Sequence, residues 1–168
     1  MTARLSRPVS IRRLVREERI AIEASAEERA AIAEELDLLS LDSLTADITL
    51  RPWRQEGVRV EGRVRGSLSQ ACVVTLEPVA TTVDEEINLR LHPDAVESGP
   101  IEVDVDATDP PELLEEDVVD VGAIVLEHFV LGIEPYPRAA GVEFEVPQED
   151  EDEKEPSPFA VLASLKNG

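Results

Sequence analysis

The sequence predicts an α+β fold in which a curved antiparallel β-meander packs against helices, with closure of the sheet into a barrel-like form as an alternative. Three observations support this class. Residues 46–91 contain a close succession of segments in which apolar and polar residues alternate, the period of a half-buried strand. Residues 26–38 and 120–131 instead combine helix-start signals with apolar residues at helical spacing. Short connections between the strand segments favour antiparallel neighbours.

The composition is that of a chain able to bury its own core. It has 168 residues, 42% apolar and only 3% aromatic, so Val, Leu, Ile and Ala must fill most of that core. The one cysteine, Cys72, excludes an internal disulfide and a Cys-rich zinc site. No apolar run approaches the roughly 20 residues that cross a bilayer, so we expect a cytoplasmic protein with no membrane contact.

The first two elements are a strand and a helix. Apolar and polar residues alternate within residues 7–16, which predicts the first strand. Ser25 and Glu28 form the Ser-x-x-Glu pattern of a capping box, so a helix is predicted over 26–38. Its apolar stripe consists of Ile32, Leu36 and Leu39.

Four strand segments follow, and their apolar positions predict the buried face. They cover residues 46–50, 57–66, 68–76 and 79–91. Gly62 lies on the apolar face, which suggests a bulge or the close approach of another backbone. Glu85 interrupts the apolar face of the last segment, so a bulge or strand end is expected near it. Cys72, Val74 and Leu76 are predicted to point inward from the third segment.

The remainder of the chain adds two shorter elements. Residues 101–105 alternate, which predicts a short fifth strand with an acidic outer face. Asp120 is suited to cap a second helix that Gly132 ends, and Pro135 prevents that helix from resuming.

These elements divide the chain into three parts. We predict a single α+β domain over residues 1–146, an acidic Pro-rich linker over 147–157 and a short amphipathic helix over 158–168. The linker has too few apolar residues to bury a core. On the terminal helix one face is formed by Phe159, Leu162 and Leu165. This face either folds back onto the domain or docks in a groove of a partner.

Residues suited to catalysis are sparse. Cys72 with His92 or His128 as its base is a candidate for nucleophilic chemistry. Its inward position on a strand instead favours a buried structural cysteine. The sequence has no phosphate-binding glycine loop and no Gly-x-Ser-x-Gly or His-x-x-x-His pattern. We therefore expect no enzyme, with no catalytic residue, cofactor, metal site or small-molecule substrate.

Charge is distributed unevenly along the chain. The formal net charge is -21, and residues 1–83 hold 12 basic and 13 acidic groups against 4 and 24 in residues 84–168. An acidic surface repels nucleic acid and favours basic partners such as ribosomal proteins. Any phosphate contact is therefore expected in the first half of the chain.

The candidate phosphate contacts are arginines on, or just before, the polar face of residues 57–66. They are Arg59, Arg63, Arg65, Arg51 and Arg54. Such a stripe can bind an RNA backbone without reading its sequence. The alternative is an ordinary solvated face that pairs across strands with acids such as Asp47 and Asp84. The absence of interleaved aromatic residues for base stacking favours this alternative.

Three stretches carry a family resemblance. They are Gln70–Val79 (QACVVTLEPV), Pro135–Arg138 (PYPR) and Ser157–Leu162 (SPFAVL). In these residues, and in their order from about 5 to 166, the chain resembles the YceD family of bacterial and plastid proteins, the large ribosomal RNA subunit accumulation proteins, in the branch common in alphaproteobacteria. Many relatives have a second cysteine where this chain has Thr75, so the resemblance implies no thiolate metal site here.

The resemblance implies a non-enzymatic role in biogenesis of the large ribosomal subunit, seen as accumulation of 23S rRNA. The partner would be the pre-ribosomal large subunit, contacted through its rRNA or through a basic ribosomal protein. The alternative is an adaptor that recruits a protein partner through its C-terminal helix, with Phe159, Leu162 and Leu165 as the docking residues.

Overall fold

The computed structural model describes residues 5–95, 111–114 and 116–141, and these residues form seven strands, two α-helices and a short 3-10 helix. The α+β class is confirmed. The helices are α1 (Ala26–Glu35) and α2 (Val121–Leu131). The strands are β1 (Pro8–Ser10), β2 (Glu18–Glu23), β3 (Ser40–Trp53), β4 (Gly57–Ala71), β5 (Pro78–His92), β6 (Glu112–Leu113) and β7 (Val118–Asp120).

The main sheet has the strand order β2-β3-β4-β5-β6. Strands β2 to β5 run antiparallel in chain order, as predicted for a meander, but β6 pairs with β5 in parallel and makes the sheet mixed. The barrel alternative is wrong for the described residues, because β2 and β6 lie at opposite edges and do not pair with each other. Strands β1 and β7 form a separate antiparallel pair.

The strand predictions for the middle of the chain are too short. The segment 57–66 and the first four residues of the segment 68–76 belong to one strand, β4. Its pairing with β3 continues through Ser67 and ends at Ser69, two residues before the strand itself ends. Residues 73–75 form a turn, so Leu76 is 76% exposed and does not point inward. Glu85 causes no bulge, since the register between β4 and β5 is unbroken.

The N-terminal prediction is also wrong in part. The strand over 7–16 shrinks to β1, because residues 11–13 turn into a 3-10 helix. Strand β2 was not predicted, although Ile20 and Ile22 lie two residues apart, as on one face of a strand. Helix α1 ends at Glu35 rather than near 38, since Asp37 takes a left-handed φ of 53°. Leu39 therefore lies outside the helix and is half exposed.

Both helices begin at the caps that the sequence indicates. The Ser25 side chain accepts a hydrogen bond from the Glu28 N–H, and the Glu28 carboxylate accepts one from the Ser25 N–H, which completes the capping box. Asp120 accepts a hydrogen bond from the Ala123 N–H at the start of α2. Gly132 follows the last residue of α2, as predicted.

The core lies between the inner face of the main sheet and the two helices. Val121, Val125 and Phe129 of α2 are fully buried, and Ile32 is the buried residue of α1. Alternate residues of β4 complete the core from the sheet: Val58, Val60, Val64 and Leu68. Burial of aliphatic side chains on both layers is the main stabilising contribution.

Glycines on the inner face of β4 allow close packing. A methyl group at Gly66 would lie 2.5 Å from Cε2 of Phe129, so the ring rests directly on the β4 backbone. A methyl group at Gly62 would lie 2.2 Å from the Asp47 carbonyl oxygen. This is the close backbone approach that the sequence suggested for Gly62.

Several predictions concern residues outside the described ranges. The fifth strand over 101–105, the linker over 147–157 and the helix over 158–168 all lie there. The division of the chain into domain, linker and terminal helix therefore stays a prediction.

Replacing Gly66 with alanine should destabilise the fold by about 1–3 kcal/mol, because the added methyl group overlaps the Phe129 ring. Urea unfolding measures the change. The double variant Gly66→Ala, Phe129→Leu should lose less stability than the sum of the two single variants, since leucine leaves room for the methyl group. Additive losses would show that the overlap is not the cause.

Glu28 should stabilise the fold more at neutral than at acid pH. Its hydrogen bond with Arg7 lowers the pKa of Glu28, and so does the Ser25 N–H. Since the folded pKa lies below the unfolded one, this stability is present above about pH 4.5 and is lost as pH falls through the folded pKa. Glu28→Gln should cost about 1 kcal/mol at neutral pH, a value reduced by the partial exposure of the Arg7 partner.

Urea unfolding across an acid pH series compares Glu28→Gln with the parent chain. The difference between them should shrink below about pH 4. The control is Glu27→Gln, an exposed neighbour in the first turn of α1, which should cost less. A pH-independent cost for Glu28→Gln would contradict the assignment.

Candidate functional site

The outer face of the main sheet carries the arginines that the sequence singled out. Inward positions of β4 are buried, so the alternate residues Arg59, Arg63 and Arg65 lie on the opposite, outer face. Arg51 lies on the same face of β3, directly across from Arg59. Arg54 lies just past β3, in the turn over residues 54–56.

The pairing register divides these arginines between two ends of the face. At the end next to the β3–β4 turn, Arg59 lies between Arg51 of β3 and Arg90 of β5. Further along β4, Arg63 lies between Asp47 and Glu86. We call the first group the arginine row (Arg51, Arg59 and Arg90). The second is the mixed patch, made of Asp47, Arg63, Arg65, Asp84 and Glu86.

In the mixed patch the ion pairs share partners with one another. Arg63 donates a hydrogen bond from Nε to Asp84, and this contact raises the pKa of Arg63 above its usual value. Arg65 lies 3.5 Å from the same carboxylate and 3.7 Å from Asp47. The pairing with Asp47 and Asp84 expected of a solvated face is therefore found here. The patch has three carboxylates for two arginines, so it offers little attraction for a phosphate.

The arginine row places like charges side by side. Glu17 accepts hydrogen bonds from Arg19 and Arg51, and these lower the pKa of Glu17. Glu61 is shared, since it lies 3.1 Å from Arg51 and 3.0 Å from Arg59. The Nε of Arg59 is buried and finds no hydrogen-bond partner in the described part of the chain. Like charges directly across strands repel each other, so the arginine row is electrostatically less favourable than the mixed patch.

An aromatic pair lies at the end of the arginine row. The rings of Trp53 and His92 meet edge to face at 5.8 Å. The guanidinium of Arg54 lies 4.3 Å from the Trp53 ring centre, and that of Arg90 lies 5.6 Å from it. A methyl group at Gly57 would lie 2.8 Å from the His92 ring, so the glycine makes room for it. We call Trp53, Arg54 and His92, together with the arginine row, the hairpin-end cluster.

Sequence reasoning missed three members of this cluster: Trp53, Arg90 and His92. Their sequence neighbourhoods look unrelated, because Trp53 ends β3 whereas Arg90 and His92 lie at the end of β5, with the whole of β4 between them. Only the strand register brings them together. The alternation of β3 from Arg51 to Trp53 is the one local signal that places the indole on the arginine face.

Cys72 follows β4 and begins a tight loop. The structure confirms that it is buried. Its sulfur accepts hydrogen bonds from the backbone N–H groups of Thr75 and Ala139, at 3.5 and 3.4 Å. The segment after α2 is held to the loop by a further bond from the Val73 N–H to the Pro137 carbonyl. Cys72 therefore joins the β4–β5 loop to this segment.

These hydrogen bonds favour the thiolate. Those from Thr75 and from the Ala139 backbone lower the pKa of Cys72 to about 6. The two histidines that the sequence offered as its base lie elsewhere: His92 contacts Trp53, and His128 is hydrogen-bonded to the Ile124 carbonyl in α2. The structure thus does not bring Cys72 and a histidine together as a nucleophile and base.

A groove of about 430 Å³ runs between the two helices. Its floor and walls are mainly apolar, and Glu35 of α1 and Glu127 of α2 lie at its sides. Leu131 is 77% exposed at one end. The apolar lining comprises Leu5, Ile32, Leu36, Ala123, Leu126, Val130 and Leu131.

Neither a metal site nor a membrane-crossing helix is found in the described residues. Within residues 5–95, 111–114 and 116–141, no three His, Cys, Asp or Glu side chains are placed to hold a metal ion. In the same ranges neither helix has the length and apolar content that a membrane crossing requires. The predicted docking residues Phe159, Leu162 and Leu165 lie outside the described ranges.

The fold and these surfaces define a small α+β protein with an arginine–carboxylate sheet face and an apolar groove between its helices. Residues 60–166 match the model of the YceD family, described as the large ribosomal RNA subunit accumulation protein YceD. The chain belongs to the YceD family, as its sequence motifs suggested. This membership is consistent with a role in large-subunit biogenesis. Comparisons with curated proteins and with solved structures give no match.

Cys72 should combine a low thiol pKa with slow alkylation. Ultraviolet titration of the thiolate in the native protein should give a midpoint near 6, because hydrogen bonds from Thr75 and Ala139 stabilise the anion. Alkylation should nevertheless be slow, because the sulfur is buried. The unfolded chain is the control and should react rapidly above its ordinary thiol pKa. Rapid alkylation of the native protein would contradict the buried position.

Proposed function

We propose that this protein is a non-enzymatic factor in biogenesis of the large ribosomal subunit. It supports accumulation of 23S rRNA by binding the pre-ribosomal large subunit in the cytoplasm. The observation that carries the proposal is the match to the YceD family over residues 60–166. No small-molecule substrate or cofactor enters this function.

Charge supports a basic ribosomal protein as the main contact. The net charge of -21 repels an rRNA backbone over most of the surface. The arginines of the mixed patch are already paired with Asp47 and Asp84. Ribosomal proteins with basic extensions are the partners that such a surface attracts.

The groove between α1 and α2 is the docking place we propose for that protein. Its apolar lining suits the apolar side chains of a basic segment, and Glu35 and Glu127 suit its charges. Because rim charges act mainly on association rate and its salt dependence, binding through this groove should weaken with salt.

Action by binding rather than by catalysis is supported by the surroundings of Cys72. Its sulfur is buried, and it accepts hydrogen bonds from the backbone N–H groups of Thr75 and Ala139. A nucleophile needs an accessible sulfur and a base within hydrogen-bond reach. The geometry of the described residues supplies neither.

Reversing the charge of the groove should remove the protein from pre-large subunits. A tagged chain carrying Glu35→Lys and Glu127→Lys should co-sediment with these particles at least about tenfold less than the parent chain, because a basic segment is then repelled. The matched control carries Glu18→Lys and Glu23→Lys, an equal charge change on exposed residues of β2. Equal loss in both variants would reject the groove and leave only a general charge effect.

A depleted strain tests the proposal as a whole. It should accumulate immature 23S rRNA and fewer complete large subunits, and the parent chain should restore both. Normal maturation of the large subunit after depletion would reject the role in biogenesis.

The extent of the family match supports a second candidate, the adaptor. The match includes residues 158–166 and hence Phe159, Leu162 and Leu165. Deleting residues 147–168 should then abolish partner capture and leave the melting temperature unchanged. A clear fall in melting temperature would show instead that this segment packs on its own domain.

A further inference from the structure

We propose that the hairpin-end cluster binds an unpaired nucleotide of single-stranded RNA. The base would stack at Trp53 and Arg54, and the adjoining phosphates would contact the arginine row. The identity of the RNA as rRNA rests on the proposed function, whereas the binding site itself rests on the geometry that follows.

Charge singles out this end of the sheet. Arg51, Arg59 and Arg90 lie side by side on three adjacent strands, within about 10 Å at the usual strand spacing. Arg51 and Arg59 share the carboxylate of Glu61, and Glu17 is itself shared between Arg51 and Arg19. Adjacent like charges on a sheet are destabilising, so an anionic ligand would relieve this repulsion.

The aromatic group identifies the kind of anion. The Arg54 guanidinium lies 4.3 Å from the Trp53 ring centre in a cation–π contact at the end of the row. Unpaired RNA bases stack on aromatic rings and on guanidinium planes, with phosphates held by nearby arginines. An acidic peptide would satisfy the arginines but has no planar base for this stack. Duplex RNA has its bases stacked internally and cannot insert one.

The backbone of the turn holds Arg54 in an unusual conformation. Its φ of 55° lies in the left-handed region, which is unfavourable for a residue other than glycine. Gly and Asn are the residues that usually occupy such a position. Here the conformation positions an arginine over Trp53, and backbone strain of this kind is common at binding sites.

The Trp53 ring also supplies the stacking surface that the sequence pattern lacked. Aromatic residues are absent between Arg59 and Arg65, but Trp53 reaches the same face through the strand register. Of the five arginines predicted to contact phosphate, the cluster keeps Arg51, Arg54 and Arg59 and adds Arg90. Arg63 and Arg65 belong to the mixed patch, so they serve as internal controls.

Trp53 is the only tryptophan in the chain, so its fluorescence reports on this site alone. The 168-residue chain is titrated with an oligouridine of about ten nucleotides, a length within the usual single-strand site sizes. Saturable quenching is expected, and the logarithm of the binding constant should fall with that of salt with a slope of about -2, as for three phosphate contacts. A duplex of equal charge should bind at least about tenfold more weakly.

Variants are compared by the anisotropy of a labelled oligouridine. Arg90→Gln and Arg54→Gln should each weaken binding about fivefold or more, and Trp53→Leu about tenfold. Arg54 lies exposed in a turn, so its replacement keeps the proposal testable if the Trp53 variant fails to fold. The matched controls Arg63→Gln and Arg65→Gln should stay within about twofold of the parent chain.

The outcomes separate this site from the proposed function. Absence of saturable quenching overturns the site, as does equal weakening by the control variants or equal binding of the duplex. Stronger quenching by an acidic peptide than by oligouridine also overturns it, in favour of a protein ligand. None of these results affects the depletion test, whose failure would reject the ribosomal role while leaving measured RNA binding in place.

Discussion

The contact between the Phe129 ring and the bare backbone at Gly66 decides which side of the sheet is covered. Because α2 packs directly on β4 there, the valines of β4 are sealed inside and every alternate residue must face outward. The arginines of β4 are thus fixed on one exposed face by the same alternation that builds the core. Loss of this contact would remove the largest fully buried side chain from the core. The sheet would also lose the helix that covers its inner face, so its two faces would no longer differ in exposure.

The outer face shows how an acidic protein can retain a local basic site. Along β4 the surroundings of the arginines change over a few residues, from close pairing at Arg63 to a shared carboxylate at Arg59. Exposed ion pairs of this kind add little stability. Their effect is on recognition, since paired arginines present almost no net field and an excess of arginines presents a positive one. Negative charge elsewhere on the molecule disfavours contact with nucleic acid.

Sequence reasoning succeeded where the signal is local and failed where it is not. The caps at Ser25 and Asp120 and the alternation of β4 depend on neighbouring residues, so helix starts and the buried face were predictable. The continuation of β4 past Gly66 was not, because a glycine that ends a strand and one that receives an aromatic ring look alike in a single sequence. Strand β2 has only three apolar residues, too few to stand out beside the capping box that follows. The sequence motifs identified the family. Trp53 and Arg90, by contrast, became neighbours only through the register of three strands.

The carboxylate of Asp120 does more than start a helix. It also accepts hydrogen bonds from the Arg7 N–H and the Ser6 hydroxyl, and β1 pairs with β7 beside it. Residues near the beginning of the chain thus find their partners more than a hundred positions later. A nascent chain is synthesised at roughly 5–20 residues per second, so β1 remains unpaired for several seconds before β7 is made. During synthesis the meander is therefore able to assemble before β1 has a strand to pair with.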